Sequence, residues 1–443
     1  MDTIQLTVGG VTIVLNGAGV TGAVRGARLL PANGAGETLE EPIELVLEGT
    51  SAEIETAIES IGRLVDQARQ GAGGVVGSWG YLEVKLAAGG VIWRSKIVDG
   101  WPVYSQEGAG QRARGRMGVT LHLVRANWWE GPESALALTN LHGTNVTTGL
   151  TITNHEDGAH ANSVNIGAAS LLGDLPAPAR IELSVTTAET GTVWAGLNQD
   201  SDPTNLKVNY PAEAAGAGSG VTMTVLTDGL YASGGSAKRF AWTGTGITGL
   251  VRFTLSAADL ARMGGRPFRG VLRFYSQPAG NVWAWWRLLY VAGVTEVIWE
   301  GPGQYLSDLM VVQDLPGLFL PPWGVPAGAS APGLTLELAG QSPTAGAHQI
   351  ELDELYLFPM DGWRKYAPVI KQWTGLSVND DSGRDLVQAV GVAMQGHAAE
   401  GPGFWLKPGK AARLTFLIGQ RLLANIAVVA TVKVFYRPRR RGL

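Results

Sequence analysis

The sequence predicts a mainly β protein: an α+β amino-terminal domain with one long helix on a sheet, a middle β-sandwich and a β-rich carboxy-terminal segment. Two observations predict this class. Short alternating apolar segments recur along most of the chain, separated by turns that draw on 62 glycines and 22 prolines. One segment alone keeps helical spacing over several turns. The length of 443 residues, 45% of them hydrophobic, predicts two or three domains with their own cores.

The predicted helix runs from Ser51 to Gln70. Thr50 followed by Glu53 has the pattern of a capping box at its start. Apolar residues then recur at steps of three and four and form one stripe: Ile54, Ala57, Ile58, Ile61, Leu64, Val65 and Ala68. A single long helix among strands buries such a stripe by lying across a sheet.

Three domains are predicted from changes in residue pattern and composition along the chain. Strands with clear alternation surround the helix in residues 1–134, and a Gly-Pro linker follows Trp128 and Trp129. Residues 135–359 contain short polar strands broken by turn residues, which is typical of a β-sandwich or jelly roll. Residues 360–443 form a third, β-rich segment.

Composition excludes several kinds of chemistry. The absence of cysteine rules out disulfides, thiolate metal sites and cysteine nucleophiles, and it favours folding in a reducing cytoplasm. A net charge of −4 gives no general attraction to nucleic acids or membranes. No signal peptide and no membrane-spanning segment are expected. Charged residues make up only 16% of the chain, which suits a surface covered by partners.

No catalytic or metal-binding constellation is predicted, so we expect no enzyme activity and no cofactor. Nucleotide-binding and hydrolase motifs are missing. Asp353 and Glu354 are adjacent in a predicted strand, so they point to opposite faces and do not frame a sugar together. His155 and His160 flank two acidic residues in a loop that can hold a cation, but a solvated polar loop is the preferred interpretation.

The tryptophans give the clearest candidate contact surface. Three of the 15 tryptophans, Trp283, Trp285 and Trp286, cluster in one predicted strand. Trp283 and Trp285 share one face and Trp286 takes the other, so one side is buried and the other meets a sugar ring or another subunit. A bulky core strand covered by a loop is the more ordinary alternative.

Two arginine-rich segments carry the remaining candidates. Arg112, Arg114 and Arg116 lie in a glycine-rich loop, which is either a solvated hairpin tip or a contact with a neighbouring subunit. Arg437 to Arg441 is expected to be a solvated tail, with the lining of a nucleic-acid channel as the alternative.

The order hairpin, strand, capped helix, strands resembles the amino-terminal domain of distal tail proteins of long-tailed bacteriophages. The segments that carry this resemblance are Glu41 to Gln70, Arg125 to Glu130, Asn162 to Ile166, Gly173 to Arg180, Leu352 to Arg364, Leu406 to Gly409 and Val434 to Arg439. They touch all three predicted domains. In this family the middle module is similar to galectins or other carbohydrate-binding sandwiches, but no sugar-binding residues are carried over.

The resemblance implies a structural virion protein: a baseplate hub at the tail tip that joins the tail tube to tail-tip proteins. It implies a ring of identical subunits, six by family resemblance, assembled in the host cytoplasm, with DNA only as passing cargo and no membrane insertion. The alternative is a β-sandwich adhesin that binds a glycan on the host surface. A ring predicts a symmetric oligomer, whereas an adhesin predicts saturable glycan binding.

Overall fold

The computed structural model describes residues 2–16, 21–29, 36–73, 79–87, 89–104, 114–185, 190–227, 235–278, 281–292, 294–308, 310–320, 333–367, 376–383, 386–389, 392–393, 399–420 and 429–442. Most of these residues lie in antiparallel strands, which confirms the predicted mainly β class.

The elements up to residue 211 are β1 (Thr3–Val8), β2 (Val11–Asn16), β3 (Val24–Leu29), β4 (Thr38–Glu48), α1 (Ser51–Ala72), β5 (Gly80–Lys85), β6 (Ile92–Tyr104), β7 (Arg116–Ala126), β8 (Trp129–Glu130), β9 (Ser134–Ala135), β10 (Leu138–Asn140), β11 (Gly143–Asn145), β12 (Leu150–Thr153), β13 (Ser163–Ile166), β14 (Ala177–Val185), β15 (Thr190–Asp200) and β16 (Asn209–Pro211). Single 3-10 turns occupy Ala168–Ser170, Pro203–Asn205 and Ala212–Ala214.

The later elements are β17 (Thr222–Thr227), β18 (Ser236–Thr243), β19 (Thr248–Thr254), α2 (Ala257–Met263), β20 (Arg266–Phe274), β21 (Trp283–Ala292), β22 (Val294–Glu300), β23 (Gln304–Tyr305), β24 (Val312–Leu320), β25 (Gly333–Gln341), β26 (Ala347–Pro359), β27 (Trp363–Tyr366), β28 (Leu376–Asp381), β29 (Leu386–Ala389), β30 (Val392–Ala393), β31 (Ala399–Glu400), β32 (Trp405–Leu406), β33 (Ala411–Gln420), β34 (Val429–Tyr436) and β35 (Arg439–Arg440).

The chain divides into two compact units. Unit 1 comprises Met1–Ser134, Leu172–Leu175 and Arg437–Leu443, and unit 2 comprises Ala135–Leu171 and Pro176–Tyr436. Unit 2 is therefore inserted within the sequence of unit 1.

Unit 1 is built on sheet A, whose strand order is β2-β1-β5-β6-β7-β4-β3. The long strand β6 pairs with β5 through its first half and with β7 through its second half, and a register shift separates the two halves. On β4, Ile43, Leu45 and Leu47 are buried while Glu44 between them is exposed, as their alternation predicts.

Helix α1 covers sheet A and ends two residues beyond its predicted end. Both halves of the predicted capping box are present, because Thr50 Oγ1 accepts from the Glu53 amide and the Glu53 carboxylate accepts from the Thr50 amide. Most of the predicted stripe is buried against β5 and β6, while Ala57 and Ile58 pack at its edge. A Cβ on Gly80 would lie only 2.2 Å from the Ala68 side chain, so this close approach requires glycine.

The carboxy-terminal arginines contribute to unit 1. β35 pairs with β8, and Arg439 is buried with its Nε 2.9 Å from Glu130 Oε1. The guanidinium groups of Arg439 and Arg440 stack over Trp128 and Trp93. The expectation of a solvated tail is wrong for Arg439, because ring stacking and its ion pair with Glu130 hold it in place.

Unit 2 contains two sandwiches. In the outer sandwich, sheet B (β11-β10-β13-β33-β15-β27-β31) packs on sheet C (β12-β34-β14-β28-β29-β30) around a core that includes Ile152, Val164, Leu183, Phe416 and Val432. In the inner sandwich, sheet D (β17-β18-β26-β20-β24) packs on sheet E (β19-β25-β21-β22) around Phe240, Phe253, Leu272, Trp286 and Leu336.

A smaller cluster joins the two sandwiches. Trp194 and Leu417 from sheet B meet Val271, Tyr356 and Phe358 from sheet D. A Cβ on Gly196 would lie 2.0 Å from the Phe358 ring, so the missing side chain lets the two sheets approach. The layer order in unit 2 is therefore C, B, D, E, and sheet D is covered on both faces.

The strand pairings differ from the predicted division at residues 359 and 360. β33 pairs with β13 and β15, and β34 pairs with β12 and β14, so residues after 360 complete the sheets that begin before residue 200. The inner sandwich alone is continuous in sequence, from about β16 to β26. The prediction failed because the local residue pattern along a chain does not show which strands pair when they lie more than 200 residues apart.

Candidate functional site

The most concentrated polar chemistry in unit 2 begins in the loop between β12 and β13. Asp157 is its centre: Oδ1 accepts from the Ala159 amide at 2.6 Å and from the His160 amide at 2.7 Å. Its Oδ2 lies 3.0 Å from His155 Nε2 and 3.0 Å from His160 Nδ1. The two imidazole rings are 4.4 Å apart. The loop therefore collects two histidines on one carboxylate.

The ionisation of this loop follows from its burial and its hydrogen bonds. Burial, together with the charge of Arg273, lowers the pKa of His155 to about 4, against the effect of Asp157. Burial raises the pKa of Asp157, but the hydrogen bonds from Ala159, His160 and His155 outweigh it and lower that pKa to about 2. At neutral pH the loop thus holds a neutral His155 and an ionised Asp157.

The structure corrects the prediction of a solvated loop in part, because Gly158 and Ala159 are exposed but His155 is not. His155 is fully buried, and Glu156 lies 2.7 Å from Arg413 Nη2 and 3.2 Å from Lys207 Nζ. The sequence indicates polarity here, but it contains no signal for the packing that buries it.

A second polar group lies on sheet D. β26 and β20 change register between Leu352 and Glu354, and the Asp353 carboxylate at this irregularity pairs with the buried guanidinium of Arg273. Glu354 accepts from the Tyr356 hydroxyl and the Asn209 amide. Burial raises the pKa of Glu354 to about 7, although the Tyr356 hydrogen bond opposes it.

These carboxylates do not frame a sugar cleft. Glu351 pairs with Arg239 at 2.6 Å and accepts from Ser276, while Asp353 pairs with Arg273. The cavity beside Glu156, Asn209 and Tyr356 has a volume of about 10 Å³, which is room for roughly one water molecule. Strongly shifted pKa values here reflect burial and ion pairing, and a substrate has no space.

A larger cavity lies in unit 1 beside the start of α1. It has a volume of about 370 Å³, and its lining is mostly small or apolar, including Ile13, Ala23, Val24 and Ala57. Glu53 is the charged residue of its lining, and that carboxylate is held in the capping box. The cavity therefore has room for a small molecule, but its lining provides no available catalytic group.

The three tryptophans of β21 lie in three different environments. Trp286 is fully buried in the inner core, with its Nε1 3.3 Å from the Leu315 carbonyl oxygen. Trp285, on the opposite face, is largely covered, and the Arg287 guanidinium lies over its ring. Trp283 is 37% exposed and meets the 58% exposed Tyr305 edge to face, with ring centroids 4.8 Å apart. Trp283 and Tyr305 form an exposed aromatic pair.

The arginines predicted to meet a neighbouring subunit are only partly described. Arg112 lies outside the described residues, Arg114 is exposed, and Arg116 Nε lies 3.3 Å from Glu48 of the same chain. The Glu41 side chain is buried and pairs with Arg125, so it does not offer its carboxylate to a neighbour.

Unit 1 also has an apolar outer surface that sequence reasoning missed. On the face of sheet A opposite the buried residues of β4 and β7, Trp101 is 41% exposed and Val103 is 45% exposed. The Trp101 ring stacks on His122 with an interplanar angle of 2°, and His122 Nδ1 lies 2.7 Å from Glu40 Oε1. We call Trp101, Val103, His122 and Glu40 the outer patch. The two apolar residues stand on alternate positions of β6, which is the signal that could have revealed it.

Comparison with known proteins gives structural neighbours only. No protein-family model matches the chain, and no curated protein matches it. A chain from a structure of the phage P2 baseplate in its activated conformation with Ca is similar with a TM-score of 0.27 and 8% identity, covering 99% of this chain and 98% of that chain. A chain from the corresponding structure with Sr has a TM-score of 0.25 and 8% identity, covering 45% of this chain and 73% of that chain.

Among the described helices, none combines the length and apolar content needed to cross a membrane.

Proposed function

We propose that this protein is a structural subunit of a phage tail or baseplate that assembles with copies of itself into a closed ring. The observation that carries the proposal is the outer patch of unit 1. An exposed tryptophan and valine side by side on an open sheet face are typical of a surface that another protein covers. We choose a ring of identical subunits because the first 134 residues resemble distal tail proteins.

Charge and composition support a covered surface. Only 16% of the residues are charged, and the outer patch combines an aromatic ring with a paired histidine and carboxylate. In a ring, each subunit uses two different surfaces, so the outer patch of one copy meets another part of unit 1 in the next. Arg114 is exposed, and in this proposal it meets acidic residues, such as Glu40, of a neighbouring subunit.

The role that we propose is not enzymatic. The carboxylates with raised pKa values are buried beside arginine or tyrosine, and the adjacent cavity has room for about one water molecule. Partners in this role are the tail tube and the tail-tip proteins, with the protein located in the virion.

Light scattering on the purified full-length chain, with negative-stain microscopy, tests the ring. We expect a discrete symmetric oligomer, six-fold by resemblance, and we expect Trp101→Lys to dissociate it while the fold is kept. Trp405→Lys is the matched control, because Trp405 has a similar exposure of 38% but belongs to unit 2. A parent protein that stays monomeric at high concentration, or a Trp101→Lys variant that still forms rings, contradicts the proposal.

A second candidate function is glycan binding by unit 2, and the Trp283–Tyr305 pair favours it. Two exposed rings at nearly right angles offer stacking faces for a sugar. Gly303 lies against the indole, where a Cβ would come within 2.3 Å of Trp283 Nε1. A glycan screen followed by calorimetry tests this candidate: Trp283→Ala should abolish binding and Trp405→Ala should retain it. Binding unchanged in Trp283→Ala, or none in the parent, rejects it.

A further inference from the structure

The loop between β12 and β13 gathers three metal-binding side chains around one point. His155, Asp157 and His160 place two imidazole nitrogens and the carboxylate within 4.8 Å of one another. Both nitrogens are 3.0 Å from the same oxygen, Asp157 Oδ2. We propose that these three residues bind a divalent transition-metal ion, with Zn²⁺ as the best fit to two imidazoles and one carboxylate.

The other atoms of the same side chains are held as metal ligands require. Asp157 Oδ1 accepts from two backbone amides and also lies 2.9 Å from His160 Nδ1, which fixes the carboxylate, while Oδ2 lies within 3.0 Å of both histidines. His155 Nδ1 lies 3.3 Å from Asn154 Oδ1, and a proton on Nδ1 that is donated to Asn154 leaves the lone pair on Nε2. In the absence of metal, Nε2 instead carries the proton and donates it to Asp157 Oδ2 at 3.0 Å, so a bound cation takes the place of that proton.

The distances are close to those of an occupied site. Zn–N and Zn–O bonds of about 2.0–2.1 Å in a tetrahedron separate neighbouring ligand atoms by roughly 3.3 Å. The two N···O separations of 3.0 Å therefore need to grow by only a few tenths of an ångström, and the two nitrogens, which lie within 4.8 Å of each other, need to reach a similar spacing. Three protein ligands leave the fourth position for a water molecule or another side chain.

The place of the loop indicates what the metal does. β12 belongs to sheet C and β13 to sheet B, so the loop crosses from one sheet of the outer sandwich to the other. His155 is fully buried, and the neighbouring Asn162 donates to the Tyr356 hydroxyl on sheet D. An ion here fixes the loop where three sheets meet. It stabilises unit 2 and takes no part in turnover.

The test uses the untagged full-length protein, stripped with a chelator and titrated with Co²⁺. We expect one equivalent to bind with the intense visible bands of four-coordinate Co²⁺, Zn²⁺ to displace it, and the apparent Tm to rise with metal concentration. Ca²⁺, which prefers oxygen ligands, should not compete.

Variants locate the site. Asp157→Asn keeps an oxygen for the two backbone amides, and His160→Gln keeps a polar side chain of similar reach, yet each should weaken Co²⁺ binding at least about tenfold. His142→Ala is the control, because His142 is an exposed histidine in a different loop.

Diffraction data from Co²⁺-soaked crystals of the parent protein, collected at the cobalt edge, give a readout that does not depend on variant folding. An anomalous peak between His155 and His160 is expected. Absence of that peak, or equal Co²⁺ affinity in folded His160→Gln, overturns the proposal.

Discussion

Units 1 and 2 differ in how their cores hold polar groups: unit 1 buries the Glu41–Arg125 pair beside a largely apolar core, whereas unit 2 buries several polar groups within one sheet. In unit 1, α1 presents one apolar stripe to sheet A, and Ile61, Leu64 and Val65 are buried as their spacing predicts. In unit 2, sheet D is covered on both faces, and its strands carry the buried Arg273–Asp353 pair and the buried Glu354. On a helix that covers a sheet, the helical period places apolar residues on the buried face and polar residues on the exposed face. A sheet between two sheets needs internal partners for its polar groups.

The largest expected effect comes from the buried ion pair of unit 2. Asp353→Leu leaves the Arg273 guanidinium without this counter-charge in a dry interior, and loss of one partner of a buried pair typically costs about 3–5 kcal/mol. Urea unfolding followed by tryptophan fluorescence should show a large shift in the unit 2 transition. Glu48→Gln, which removes an exposed partner of Arg116, should cost no more than about 1 kcal/mol. Similar shifts for both variants would contradict the difference between a buried ion pair in unit 2 and an exposed one in unit 1.

The second effect concerns the helix stripe of unit 1. Ile61→Ala should destabilise unit 1 by about 2–5 kcal/mol because it empties a fully packed position. Ile58→Ala, at the half-buried edge of the same helix, should cost clearly less. Chemical denaturation of both variants measures the difference. Equal costs would mean that α1 is buried on a different face.

The third prediction is a pH dependence that belongs to unit 2. The pKa of Glu354 is raised to about 7 from 4.5, so the folded state holds a proton that the unfolded state has released between those values. The stability from this group is complete below about pH 4.5 and is lost as the pH rises through 7, by at most about 1.4 kcal/mol per pH unit.

Glu354→Gln stays neutral and should remove that loss. Unfolding midpoints of parent and variant at about pH 5 and about pH 7 measure it, and the parent should lose more stability than the variant over this interval. Glu44→Gln, at an exposed position of unit 1, controls for the change of one charge. A variant with the same pH slope as the parent would contradict the assignment.

The smallest effect compares the two capping boxes. Thr50→Ala removes the cap of α1 and should cost about 1 kcal/mol in unit 1. Ser256→Ala removes the corresponding cap of α2, where Ser256 Oγ accepts from the Asp259 amide at 3.1 Å. α2 is short and held by buried Leu260 and Met263, so its loss should be no larger. Thermal unfolding of both variants tests this order.

The sequence was sufficient to predict elements whose residue pattern lies within the element itself. The capping box and the stripe of α1 are local, so its ends were predicted within two residues. The mainly β class follows in the same way from alternation and turns. The outer patch could not be predicted from β6 alone, because it also includes His122, which lies beside Trp101 on another strand.

Where the outcome depends on pairing between distant segments, the sequence was insufficient. Asp353 and Glu354 were predicted to point to opposite faces of one strand, but the burial of both depends on a register shift at Asp353 and on a second covering sheet. His155 and Asp157 were recognised as a polar group, and their burial could not be derived from neighbouring residues. The domain boundary at residue 359 failed for the same reason, since β33 and β34 find their partners far back in the chain.

The route of the chain through unit 1 affects how the protein responds to proteolysis. The chain leaves unit 1 after Ser134, returns for Leu172–Leu175, and returns again at Arg437. One cut near residue 134 separates residues 1–134 from the rest of the chain, which still contains the Leu172–Leu175 and Arg437–Leu443 segments of unit 1. After a second cut near residue 436, Leu172–Leu175 is still held in unit 1 by hydrogen bonds from the Asp174 and Leu175 amides to the Arg439 carbonyl oxygen. Cuts near residues 134 and 436 therefore release neither unit until that short segment is also pulled out of unit 1.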